Sequence, residues 1–133
     1  MVANASLRGR RALVVEDESI VAMLVEDMLL DLGANVEVAM RLCDALRQAR
    51  EGAFDFAILD INLGDGDRSE AVADVLAARC IPFVFATGYG EHGLAARYFA
   101  VPTLQKPYHR HDLELLIGRV VSAGMPPTDH EAR

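Results

Sequence analysis

Five residues carry the chemistry that the rest of the chain must position: Glu16, Asp17, Asp60, Thr87 and Lys106. Each closes a short apolar or β-prone run. Leu13-Val14-Val15 leads to the first two acids, Phe56-Ala57-Ile58-Leu59 to Asp60, Phe83-Val84-Phe85-Ala86 to Thr87, and Thr103-Leu104-Gln105 to Lys106. Runs without strict alternation suit strands buried on both faces of a parallel sheet, and such sheets place ligand sites beyond the strands' carboxyl ends. Carboxylates gathered there repel one another, and a hard cation with oxygen ligands resolves the repulsion. A lysine in the same cleft is a fixed positive charge for anionic oxygens. Each residue also has a plainer role. Asp60 can cap a turn, Glu16, Asp17 and Glu18 can complement a helix dipole, Thr87 can belong to a turn before Gly88, and Lys106 can be a solvated charge. Four such coincidences at one edge of one sheet are harder to accept than one site.

The elements that would hold these residues alternate regularly. Strands are expected over residues 11–15, 34–39, 54–60, 81–86 and 102–105. A helix begins at Ser19, taken as its cap, carries Ile20, Met23, Leu24, Met28 and Leu32 at helical spacing, and stops at Gly33. The spacing predicts a second helix over 41–51, with Leu42, Ala45, Leu46 and Ala49 inward and Gly52 ending it. A third helix over 69–79 carries Val72, Val75 and Leu76 on one face, and a short, weakly patterned one spans 91–99. The last, over 109–121, buries Leu113, Leu116, Ile117 and Val120. Five strands alternating with five helices argue for an α/β fold with an open parallel sheet covered on both faces.

A chain of 133 residues suits one domain with a sizeable core. Its organisation reads as an N-terminal extension (1–10), one domain (11–122) and a flexible, proline-broken tail (123–133). The net charge of −7 disfavours nonspecific nucleic-acid binding, because a phosphate backbone repels an acidic surface, and favours cations or basic partner patches. Cys43 and Cys80 lack metal-ligand spacing and are expected as buried thiols in a reducing compartment. No run has signal-peptide or membrane-span character, so a cytoplasmic protein is expected.

The stretches Leu13-Val14-Val15-Glu16-Asp17-Glu18, Ile58-Leu59-Asp60-Ile61-Asn62-Leu63, Phe85-Ala86-Thr87-Gly88 and Lys106-Pro107-Tyr108 occur in the order and at about the spacing of the receiver domain of two-component response regulators. The chain resembles that family from about residue 11 to 121. The resemblance implies a flavodoxin-like doubly wound (βα)5 sandwich with strand order 2-1-3-4-5. It implies that Asp60 is the phosphoacceptor, taking a phosphoryl group from a phosphohistidine on a sensor histidine kinase or a histidine phosphotransfer protein. Glu16 and Asp17 would hold a divalent cation, Mg2+ or alternatively Mn2+, with Asp60 and the backbone carbonyl of Asn62. Thr87 would hydrogen-bond a phosphoryl oxygen, Lys106 would ion-pair with it, and the Lys106-Pro107 bond would be cis. Such a domain is a signalling phosphoacceptor that assists its own magnesium-dependent phosphorylation and dephosphorylation, not an enzyme acting on other substrates.

The sequence departs from the family at one informative place. Many receivers carry an aromatic switch residue three positions before the lysine, and Thr103 stands there. Phe85-Ala86-Thr87-Gly88-Tyr89-Gly90 resembles a bacterial subgroup marked Phe-Ala-Thr-Gly-any-Tyr, often stand-alone, although Gly90 replaces the final tyrosine. Tyr89, flanked by glycines, is therefore the expected substitute switch alongside Thr87. The expected output is protein–protein contact by a stand-alone, monomeric or weakly dimeric receiver, with a phosphate shuttle or sink in a phosphorelay as the alternative. Neither a membrane nor a nucleic acid is an expected partner. Two other motifs fail: Asp60-Ile61-Asn62-Leu63-Gly64-Asp65 starts like a calcium loop but has Ala71 at the twelfth position, and Asn62 breaks the Asp-x-Asp phosphatase pattern. His109 and His111 open a helix, where alternating side chains diverge instead of chelating.

Overall fold

The computed structural model describes residues 7–64, 66–88, 98 and 100–123. Five parallel strands form one sheet in the order β2-β1-β3-β4-β5: β1 (Arg11–Val15), β2 (Asn35–Ala39), β3 (Phe56–Asp60), β4 (Phe83–Thr87) and β5 (Thr103–Gln105). The described helices are α1 (Ser19–Asp31), α2 (Leu42–Glu51), α3 (Glu70–Ala78) and α4 (Arg110–Ala123). The helix expected over 91–99, apart from Tyr98, together with Tyr89 and the tail beyond 123, lies outside the described residues. The packing starts before β1: Leu7 is buried and its N–H donates to the carbonyl of Leu32 at 2.8 Å.

The strands' two-residue period divides the core. Leu13, Val15, Ala57, Leu59, Phe83 and Phe85 face the layer made by α2, α3 and Tyr98. Ala12, Val14, Phe56, Ile58, Val84, Ala86 and Leu104 face α1 and α4. The inward positions expected for α2, α3 and α4 are buried or partly buried as anticipated.

Three expectations are corrected by the structure. The face of α1 that packs inward is Ala22, Val25 and Leu29, while Ile20, Met23 and Leu24 are 80%, 61% and 44% exposed. This helix is apolar nearly all round from Ile20 to Val25, so its pattern alone does not say which side meets the sheet. Ser19 is the first helical residue and not the cap; Glu18 occupies the cap position, with no side-chain cap bond. Cys43 and Cys80 are both exposed free thiols, Cys43 on the outer side of α2 and Cys80 in the turn after α3.

Candidate functional site

Strand order reverses at β1: the chain leaves it for β2 on one side and returns as β3 on the other. The connections leaving the ends of β1 and β3 therefore part, and a crevice opens between them at the sheet's carboxyl edge. The two-residue period carries straight into that crevice. Glu16 continues the line of Val14, Asp60 that of Ile58, and Lys106 that of Leu104, so these side chains emerge on one side of the sheet. Their contacts agree with this. The Lys106 ammonium lies 3.0 Å from Glu16 Oε1 and 3.2 Å from Asp60 Oδ1. The bond from Lys106 to Pro107 is cis.

Glu16 is 1% and Asp60 4% exposed, and Asp17 stands half-buried at the rim. Carboxylate oxygens of all three lie within 4.8 Å of one another. Glu16 Oε2 also accepts the N–H of Glu18 at 3.2 Å, which ties this carboxylate to the start of α1. Burial, then the neighbouring charge of Glu16, pushes the Asp60 carboxyl up to about 8, and Lys106 offsets only part of that. Burial by itself lowers the affinity of Lys106 for its proton, but hydrogen bonding and charge from Glu16 and Asp60 outweigh burial and hold its pKa above the usual lysine value. One lysine thus contacts two of the three clustered carboxylates, and negative charge is in excess. The donor set is all oxygen, and the group most strained by the crowding is the buried Asp60. Both properties fit a hard divalent cation, which adds the missing positive charge without requiring nitrogen or sulfur ligands.

Thr87 ends β4, where its carbonyl accepts the N–H of Lys106 at 2.9 Å and so links the ends of β4 and β5. By alternation its side chain follows Phe83 and Phe85, not Ala86. Asn62 lies in the loop after β3, its Oδ1 3.3 Å from Arg68 Nη1, and the backbones of Asn62 and Arg68 form an antiparallel bridge. Arg68 Nε in turn donates to Glu70 Oε1 at 2.7 Å. Arg68 was not among the residues singled out in the sequence. A single cation in the acid-rich run from Asp60 to Glu70 was the signal available. Gly64, with φ +83°, comes so near Asp17 that a Cβ there would stand 3.2 Å from Asp17 Oδ2.

A five-stranded parallel sheet in this order, with an acidic triad and a lysine at its carboxyl edge, defines the class of CheY-like, flavodoxin-like signalling domains. Residues 12–117 match the family model of the response regulator receiver domain, and the chain belongs to that family, the phosphoacceptor domains of two-component signalling. It is 33% identical over 113 residues to the phyllosphere-induced regulator PhyR of Methylorubrum extorquens, covering 82% of this chain and 42% of PhyR. Its fold matches the solution structure of SdrG from Sphingomonas melonis Fr1 with a TM-score of 0.73 and 38% identity, over 84% of this chain and 96% of SdrG. It also matches, at TM-score 0.72 and 22% identity over 86% of this chain and 98% of the other, the receiver domain of the sensor histidine kinase PA1611 from Pseudomonas aeruginosa PAO1, whose structure has a magnesium ion in the active site cleft. Among the described residues no helix is long and apolar enough to cross a membrane.

Proposed function

We propose that Asp60 accepts a phosphoryl group from a phosphohistidine on a partner kinase or phosphotransfer protein, and that the phosphorylated domain signals through protein contacts in the cytoplasm. The observation that carries this reading is the convergence of Glu16, Asp17 and Asp60 with Lys106 at the switch point of the sheet. An Asp60 carboxylate oxygen forms the new O–P bond as the P–N bond breaks, and the imidazole nitrogen keeps the electron pair. A carboxyl that titrates near 8 holds its proton at neutral pH, which blocks attack. Magnesium, or manganese in its place, would be held by Glu16, Asp17, Asp60 and the Asn62 carbonyl, and would supply positive charge for the Asp60 carboxylate and the phosphoryl oxygens. Lys106 then turns from Asp60 to the incoming phosphoryl group, and the Thr87 hydroxyl, which alternation turns toward the other face, would swing over the end of β4 to donate to a second of its oxygens. The magnesium bound in the PA1611 receiver supports the cation assignment.

The histidine donor needs a surface beside this site. Ile20, Met23 and Leu24 are exposed on the first turns of α1, immediately after Glu16, Asp17 and Glu18, and form an apolar lip suited to a helical partner. The test of the main reading is to incubate the protein with magnesium and acetyl phosphate and map the adduct. Phosphate appears on Asp60 and is absent from Asp60→Asn; an equal adduct on the variant sinks the assignment.

A further inference from the structure

The loop that leaves Asp60 is a miniature antiparallel hairpin. Leu63 N–H donates to the Asp67 carbonyl and Ser69 N–H to the Ile61 carbonyl, both at 3.0 Å, on either side of the Asn62–Arg68 bridge. Gly64 and Gly66, at φ +83° and +81°, make its turn. In that pattern Asn62 and Arg68 are a non-hydrogen-bonded pair. Their own N–H and C=O groups point out of the ladder, and their side chains come closest to each other. The Asn62 side-chain oxygen accepts from Arg68 Nη1 at 3.3 Å across the pair. Glu70, on the first turn of α3, holds the other arm of the same guanidinium at 2.7 Å. The hairpin's turn stands beside the cation cluster: a Cβ at Gly64 would lie 3.2 Å from Asp17 Oδ2.

We propose that Arg68 is a positioning residue for the divalent cation: clasped between Asn62 and Glu70, it fixes the 61–69 hairpin against Asp17 and so sets the affinity for magnesium. This rests on the reading that Glu16, Asp17, Asp60 and the Asn62 carbonyl hold the ion. Position, not charge, is the mechanism. Arg68 and Glu70 neutralise each other, so deleting Arg68 leaves an extra carboxylate near the site, and electrostatics alone would tighten cation binding. A lost clasp weakens it. Magnesium needs near-ideal octahedral geometry, whereas calcium tolerates irregular coordination, so the loss falls on magnesium.

The test is calorimetric titration of the full chain with Mg2+ and with Ca2+, without any phosphodonor, for the native protein, Arg68→Ala, Arg68→Lys and Glu70→Gln. Arg68→Ala raises the magnesium Kd about 10-fold, in the range lost when a partner that orients a metal ligand is removed. The calcium Kd moves less than ~3-fold. Arg68→Lys does not restore magnesium binding, because a point charge cannot fork between two acceptors; Glu70→Gln falls between. An unchanged or tighter magnesium Kd in Arg68→Ala overturns the proposal. So does equal weakening of both cations with a lower melting temperature of the metal-free protein, which marks a merely structural role. If the native protein binds no magnesium, the cation site itself is wrong and this proposal falls with it; if it binds and Arg68→Ala matches it, only the role of Arg68 fails.

Discussion

The two edges of the sheet treat charge in opposite ways. At the amino edge, polar groups are exposed and locally satisfied. The Asp55 carboxylate accepts the Arg11 N–H at 2.8 Å and faces Arg10 at 4.0 Å, the Arg11 guanidinium lies 5.5 Å over the Phe54 ring, and Arg79 reaches from the end of α3 to the carbonyls of Ala49 and Gly52 that close α2. At the carboxyl edge, Glu16 and Asp60 are buried, share one lysine, and leave a carboxyl titrating near 8. Exposed pairs contribute little and cost little, whereas a buried like-charge pair is expensive unless a ligand resolves it. One edge stabilises the fold; the other spends stability on binding.

The strongest way to break this contrast is to remove charge at the carboxyl edge. Lys106→Ala is expected to slow phosphoryl uptake from acetyl phosphate by ~100-fold or more, read from the rate of adduct formation. Next comes an uptake test of the lip. Ile20→Lys is expected to cut transfer from a phosphohistidine donor about 10-fold, in line with loss of a central apolar contact, while uptake from acetyl phosphate is unchanged. Equal loss with both donors means the lip serves the site and not the partner.

The pH dependence has a definite sign. Asp60 holds its proton to about 8 when folded but releases it near the ordinary carboxyl value of 3.8 when unfolded. Between those values the folded state binds more protons, so the stability of the metal-free protein falls as pH rises from about 4 to about 8. Asp60→Asn removes that loss, and at pH ~8 the variant is expected to melt about 5 °C or more above the native protein, with magnesium closing the gap. Identical melting curves would show that the crowding at Asp60 has no energetic consequence.

Changes at the amino edge are expected to alter stability alone. Arg79→Ala should cost about 1–2 kcal/mol in denaturant unfolding, for two charge-assisted bonds to helix-end carbonyls, with phosphoryl uptake unaffected. The smallest expected effect is a gain: Cys80, at φ 59°, takes a left-handed conformation that glycine adopts without penalty, so Cys80→Gly should stabilise by about 0.5–1 kcal/mol.

Much of this was legible in residue order. Apolar runs ending in Glu16, Asp60, Thr87 and Lys106 located the strands and the edge where chemistry gathers, because a buried parallel strand is a short continuous signal and its end is marked by polarity. Period-two alternation then assigns Glu16, Asp60 and Lys106 to the same side of the sheet. What alternation could not supply was distance: that one ammonium lies 3.0 Å and 3.2 Å from two buried carboxylates depends on how three strands are placed side by side. The face of α1 was illegible for a different reason, since a helix apolar all round satisfies several orientations and only docking chooses one. Cys43 and Cys80 show the same limit, as small apolar residues on helix borders take whatever burial their neighbours leave.

By itself, then, the sequence determined the order of elements, the α/β class and the set of strand-end groups, all of which follow from local periodicity and polarity. Tertiary structure alone decided which face of α1 stays open, how deeply Asp60 is buried beside Glu16, and that Arg68 closes on Asn62 across a glycine turn. Those depend on groups 6 to 90 positions apart meeting in space, from Arg68 and Asn62 to Lys106 and Glu16, and no local pattern records such meetings.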